Sequence, residues 1–155
     1  MADYKDKMMA ALKDAMKNKD KERRDTIRLL QAAISHEEIE KRKDLPEGVE
    51  AELTTEEELD VLVREAKKRR ESIAELESAD RDTADEEREL EIIESFLPAQ
   101  MSEEEIRALA KQTIEAVGAT EMRDMGKVMG KLSTETKGKA DGKLVSTIVR
   151  EMLQS

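Results

Sequence analysis

Glu91-Ile92-Ile93-Glu94-Ser95-Phe96-Leu97-Pro98-Ala99-Gln100-Met101-Ser102-Glu103-Glu104-Glu105-Ile106 decides how this chain is organised. Leu90, Ile93 and Phe96 recur at helical spacing, so the first half of the stretch reads as the end of an amphipathic helix. Pro98 stops that helix, because the residue before a proline avoids the helical region. Ser102 with Glu105 then has the spacing of a capping box, and the helix dipole favours Glu103, Glu104 and Glu105 in the turn it opens. One helical unit ends here and another begins. The boundary lies at Leu97–Met101, giving an N-terminal helical domain over 1–98 and a tail domain over 99–155.

Outward from that boundary the pattern stays helical. Upstream, Thr54 or Thr55 opens a capping box with Glu57 or Glu58, and a long third helix carries Leu59, Leu62, Val63, Ala66, Ile73 and Leu76 on one face. Asp44-Leu45-Pro46-Glu47-Gly48 is a turn, and Asn18 or Asp20 caps a second helix whose apolar face is Ile27, Leu30, Ala33 and Ile34. A first helix over about Asp3 to Lys17 has the stripe Met8, Met9, Leu12, Ala15 and Met16. Downstream, Ile106, Leu109, Ala110, Thr113, Ile114 and Val117 line a fifth helix, with Gly118 where a C-terminal cap belongs. Met122, Met125, Val128, Met129 and Leu132 predict a sixth, and Asp141 caps a seventh with Leu144, Val145, Ile148, Val149 and Met152 inward. No run alternates apolar and polar residues. The expected fold class is all-α, in two domains: a four-helix N-terminal unit and a three-helix C-terminal tail.

Composition narrows the chemistry. Charged residues make up 43% of the 155 and hydrophobic residues 37%, a balance suited to helices with one solvated face. There is no cysteine, which removes disulfides, thiolate metal sites and cysteine nucleophiles and fits a reducing, cytoplasmic setting. The N-terminus is charged from Asp3 onward without an apolar signal stretch, and no apolar stretch approaches the length needed to cross a bilayer. The net charge of −10 comes wholly from residues 1–101; residues 102–155 hold nine Lys/Arg and nine Asp/Glu. Within them, Lys127 to Arg150 has six basic and two acidic residues, a local +4.

That local excess coincides with Gly126, Lys127, Gly130 and Lys131, and then with Lys137, Gly138, Lys139, Gly142 and Lys143. Gly126 and Gly130 share a helical face, and a glycine inside a helix costs about 1 kcal/mol relative to alanine. Two physical reasons would justify them: a neighbouring helix packed close, or an external backbone approaching close. Gly138 and Gly142 bracket the predicted start of the seventh helix, where outward N–H groups favour anions. The nine residues suit the phosphate backbone of a folded RNA. With one Tyr, one Phe and no Trp, stacking on unpaired bases is disfavoured. Helix packing with solvated lysines is the competing reading. Lys17, Lys19, Lys21, Arg23, Arg24 and Arg28 are interleaved with acids and read as solvated faces, whereas Arg64, Lys67, Lys68, Arg69 and Arg70 are dense enough to extend a binding surface.

Catalytic signatures are missing. His36 is the only histidine and falls on the solvent side of its helix; the carboxylate runs Glu56-Glu57-Glu58, Glu86-Glu87 and Glu103-Glu104-Glu105 are helix first turns. No nucleophile elbow, phosphate-binding P-loop or dinucleotide fingerprint occurs. The expectation is no catalytic residue, no metal and no cofactor.

Taken in order, several blocks resemble the YqeY family, whose C-terminal half is shared with the tail of the GatB subunit of the tRNA-dependent amidotransferase. They are Lys19-Asp20-Lys21 with Arg23 and Arg28, Lys67-x-Arg69-x-x-Ser72, Glu91 through Leu97-Pro98-x-Gln100, Glu105-Ile106, Asp124-Met125-Gly126-Lys127-Val128-Met129 and Lys137-Gly138-Lys139-Ala140-Asp141-Gly142. The resemblance implies an all-helical two-domain protein whose tail grips a tRNA at its outer corner or attaches to an amidotransferase or other translation protein. It implies neither DNA nor membrane as partner. Members often carry the label of carbon–nitrogen ligase with glutamine as amido donor, which travels with the shared tail.

Overall fold

Side-chain caps start most of the helices. In the computed structural model, which describes residues 3–155, Asp3 accepts a hydrogen bond from the Asp6 N–H (2.8 Å) and opens α1 (Tyr4–Lys17). Asn18 closes α1, and Asp20 opens α2 (Lys21–Arg42) by accepting from the Arg23 N–H at 3.1 Å. Thr54 and Glu57 form a reciprocal capping box at the head of α3 (Thr55–Ser78). At α4 (Ala84–Glu94) the cap is looser, with Asp82 accepting from the Ala84 N–H. No strand occurs among the described residues.

These four helices form a compact unit ending at Leu97. Its core is Met8 and Ala15 of α1, Ile27, Leu30 and Ile34 of α2, Val61, Leu62 and Ala66 of α3, Ile93 of α4, and Leu53 and Phe96 from the connecting segments. Two expectations for α1 are corrected: Met9 (47% exposed) and Met16 (54% exposed) face outward, because the side of α1 against the core is taken by Met8 and Ala15 with Tyr4, Ala11 and Leu12. The regular helix α4 ends four residues before Pro98, and the bonded turns after it stop at Leu97. The helix closes at Glu94, and Phe96 and Leu97 donate to Ile93 O and Glu94 O in a tighter turn that folds Phe96 into the core.

Glu58 behaves unlike Glu56 and Glu57. It is buried (2% exposed), and its carboxylate receives the Lys5 N–H at 3.2 Å, with the Tyr4 N–H also bonded to it. It therefore caps the start of α1 from another helix. Burial pushes its pKa above the ordinary glutamate range, Asp3 adds to the rise, and the two N–H groups and Lys5 oppose it.

The second compact unit runs from Pro98 to Ser155. Ser102 accepts from the Glu105 N–H (3.2 Å) to start α5 (Glu103–Val117), which Gly118 closes at φ 69°. A 3-10 turn at Met122–Asp124 precedes α6 (Met125–Thr136), and α7 covers Gly142–Gln154. The sixth helix thus begins three residues later than its apolar pattern predicts, and Met122 is left outside it, 38% exposed. Ile106, Ala110, Val128, Leu132, Val145, Ile148, Val149 and Leu153 make the core. Leu144, predicted to face inward, is 39% exposed in the first turn of α7, and Leu153, which the apolar pattern left out, is buried in the last.

Candidate nucleic-acid interface

α6 has two sharply different sides. Val128 and Leu132 are fully buried, with Met125 and Met129 packed beside them. Gly126, Lys127, Gly130 and Lys131 are exposed on the opposite side. A Cβ built on Gly126 or Gly130 meets nothing within 4 Å. Close packing within this chain therefore does not account for either glycine, and one of the two reasons offered by the sequence falls away.

The helix start is held by Asp124, which accepts from the N–H groups of Thr120 (2.9 Å) and Glu121 (3.1 Å). Those two bonds hold its carboxyl below the ordinary aspartate range, and Lys127 and Arg123 nearby act in the same direction.

At the other end of α6 the chain turns through residues 137–141. Gly138 is buried at φ 76°, a conformation that favours glycine. The buried Thr136 takes the N–H groups of Lys139 (2.8 Å) and Ala140 (3.1 Å) on its carbonyl, and its hydroxyl donates to Leu132 O. The segment before α5 braces this turn: Gln100 Nε2 donates to Gly138 O and the Met101 N–H donates to Lys139 O, both at 2.8 Å. Asp141 then caps α7 through the Lys143 N–H (3.4 Å).

Seven of the nine residues predicted for the interface are exposed: Gly126, Lys127, Gly130 and Lys131 on α6, and Lys139, Gly142 and Lys143 at the start of α7. The other two are not surface points. Gly138 is inside the turn and shapes it, and Lys137 is half-buried and engaged. Two residues beside the candidate interface went unassigned in the sequence. Gln100 is the brace just described, a role that only the fold makes visible. Arg150 lies seven residues beyond Lys143, on the same exposed side of α7, and that spacing was legible.

Charge pairing sharpens the contrast. Among the described residues Lys127, Lys131, Lys139, Lys143 and Arg150 are in no salt bridge, while Arg107 is tied to Glu103 and Glu151 and Arg123 to Glu121. The suggested extension along α3 is corrected. Arg64 is paired with Glu37 (3.1 Å), Lys67 with Glu71 (4.0 Å), Lys68 with Glu65 (3.0 Å), Arg69 with Glu89 (2.6 Å) and Arg70 with Glu94 (3.2 Å). That dense basic run is neutralised by carboxylates on α2, α3 and α4. His36 is exposed, no group of three or more His, Asp or Glu side chains is placed to hold a metal among the described residues, and no described helix is long and apolar enough to cross a membrane.

Comparison with known proteins bears on the family. A 58-residue stretch, 35% of this chain, is 43% identical to part of a glutamyl-tRNA(Gln) amidotransferase polypeptide of Thermococcus gammatolerans. The match covers 9% of that polypeptide, so the likeness is to a small part of a much longer protein. The profile of the Yqey-like proteins matches residues 5–153, nearly the whole chain. With its helices and its glycine–lysine segment so placed, the chain belongs to the YqeY family.

Proposed function

We propose that the protein is a non-catalytic, cytoplasmic module of the tRNA-dependent amidation machinery, whose tail holds a tRNA through its phosphate backbone. The observation that carries the reading is the outward face of α6, where Gly126 and Gly130 front open space beside the unpaired Lys127 and Lys131. A helix with no side chain at two outward positions lets a ligand backbone come close, and flanking ammonium groups supply charge without selecting sequence. Lys139 and Lys143 add cations at the exposed start of α7. The partial likeness to an amidotransferase supplies the candidate RNA. The reading takes the two units as separate domains cut between residues 98 and 99.

The test is tRNA binding by the Lys127→Glu/Lys139→Glu protein and the unaltered protein across a salt series. Loss of two phosphate contacts flattens the slope of log K against log salt by about 2. Equal affinities and equal slopes would reject the proposal.

The exposed Met122 and Leu144 favour a second reading, an adaptor whose tail packs on a partner protein. Recovery of one specific partner from RNase-treated lysate, lost on Leu144→Asp, would support it. Glutamine-dependent amidation of misacylated tRNA by the purified chain alone would replace both readings with an amidoligase.

A further inference from the structure

At the reversal from α1 to α2 the N-terminal unit gathers several cations that no salt bridge neutralises. Residues 17–28 contain Lys17, Lys19, Lys21, Arg23, Arg24 and Arg28 against Asp20, Glu22 and Asp25, a local +3 inside the half of the chain that carries the whole net −10. All three acids are engaged. Asp20 accepts the Arg23 N–H, Glu22 is paired with Arg88, and Asp25 with Arg24. Among the described residues, Lys17, Lys19, Lys21, Arg23 and Arg28 are in no salt bridge.

The fold gathers part of this set around a cleft. α1 reverses into α2 within three residues, with Lys19 at φ 56°, and the reversal leaves an opening of about 240 Å³. Ala15 and Met16 line its apolar side; Lys19, Lys21, Arg24 and Arg28 line the rest, with Asp20 turned to its capping bond. Lys21, Arg24 and Arg28 are spaced three and four apart, so they share one face of α2.

The helix dipole does not explain these cations. It favours positive charge at the end of α1, which suits Lys17, but disfavours it in the first turn of α2, where Lys21, Arg23 and Arg24 sit. α3, α4 and α5 each begin with three carboxylates in that turn. Like charges so placed repel one another and are relieved by an external anion.

We propose that this cleft is a second phosphate-binding surface, in which Lys19, Lys21 and Arg28 take the phosphodiester backbone of double-helical RNA, beside an Arg24 that is already paired with Asp25. The cleft stands whichever ligand the tail holds. No aromatic side chain lines it, so it offers nothing on which a nucleobase could stack, and double-helical RNA is recognised mainly through phosphates and groove shape. The surrounding negative charge confines a polyanion to this corner.

The test uses the full chain. A short RNA hairpin duplex is titrated into the isotope-labelled protein, and Lys21→Glu/Arg28→Glu and the milder Lys21→Gln/Arg28→Gln are compared with it in a salt series. The expected result is duplex-induced shifts of the amides at residues 15–28, and a salt slope lowered by about 2 in both variants with the fold intact by circular dichroism. Unmoved amides, or variants binding like the parent, would overturn the proposal. Inorganic phosphate moving the same amides at equal concentration would also overturn it, assigning a lone phosphate instead. So would a polyglutamate peptide competing as well as the duplex, assigning an acidic protein. A Lys127→Glu/Lys139→Glu protein that binds normally while the cleft variants do not leaves this inference standing and removes the tail reading alone.

Discussion

α3 and α6 carry similar basic residues and use them in opposite ways. On α3, Arg64, Lys67, Lys68, Arg69 and Arg70 each have a carboxylate partner, three of them across to α2 or α4. On α6, Lys127 and Lys131 face outward beside glycines and are in no salt bridge. Density of positive charge in a sequence therefore says little by itself. What matters is whether the fold pairs each cation with a carboxylate: α3 has a partner for every member of its basic run, whereas among the described residues Lys127 and Lys131 are in no salt bridge, and Asp124 acts on Lys127 without a bonded contact.

The two helices should differ most in RNA affinity. Neutralising the tail pair, Lys127→Gln/Lys131→Gln, is expected to lower the salt slope of tRNA binding by about 2, whereas Arg64→Gln/Lys68→Gln leaves it unchanged. A filter-binding series on both proteins checks this, and equal losses would erase the distinction between paired and unpaired cations.

Next in size is the helix-to-helix cap. Glu58→Ala strands the N–H groups of Tyr4 and Lys5 and is expected to cost about 1–3 kcal/mol in denaturant unfolding of the N-terminal unit. Glu58→Gln keeps an acceptor and changes the pH response instead. Because the folded pKa of Glu58 is raised, its contribution is fully present below the ordinary glutamate range and is lost as pH rises through the folded value. The Gln variant should lose that dependence.

Asp124 has the opposite sign. Its folded pKa is lowered, so its contribution is present above the ordinary aspartate range and is lost as pH falls through the folded value. Amide exchange at Thr120 and Glu121 should quicken with acid in the parent and be insensitive to pH, beyond the intrinsic rate, in Asp124→Asn. Smallest is the loss of a surface pair: Arg64→Gln is expected to cost at most about 1 kcal/mol by thermal unfolding.

Much of this was legible in the sequence because caps are local. Asp20, Thr54 with Glu57, Ser102, Gly118 and Asp141 all act within a few residues of themselves, and each marks a helix end in the fold. The inner faces of α2, α5 and, apart from Leu144, α7 followed from periodicity for the same reason. Glu58 was not legible. It stands in a run of three first-turn glutamates, and only the tertiary placement of α1 above it makes it a buried cap. The exposure of Met9 and Met16 likewise depends on how much of α1 its neighbours cover. Of the nine candidate interface residues seven lie on the surface, and the glycine–lysine spacing could not separate Gly138 from them, since a positive φ is a property of the turn.

The tail reading stands or falls with Gly126 and Gly130 serving the approach of an external backbone. The decisive experiment measures thermal stability and tRNA affinity of Gly126→Ala/Gly130→Ala side by side. Both new methyl groups enter open space, so the tail should become more stable, by about 1 kcal/mol at the helix-interior Gly130, while tRNA binding weakens. A protein that is stabilised and binds tRNA as tightly as its parent would contradict that role for the two glycines.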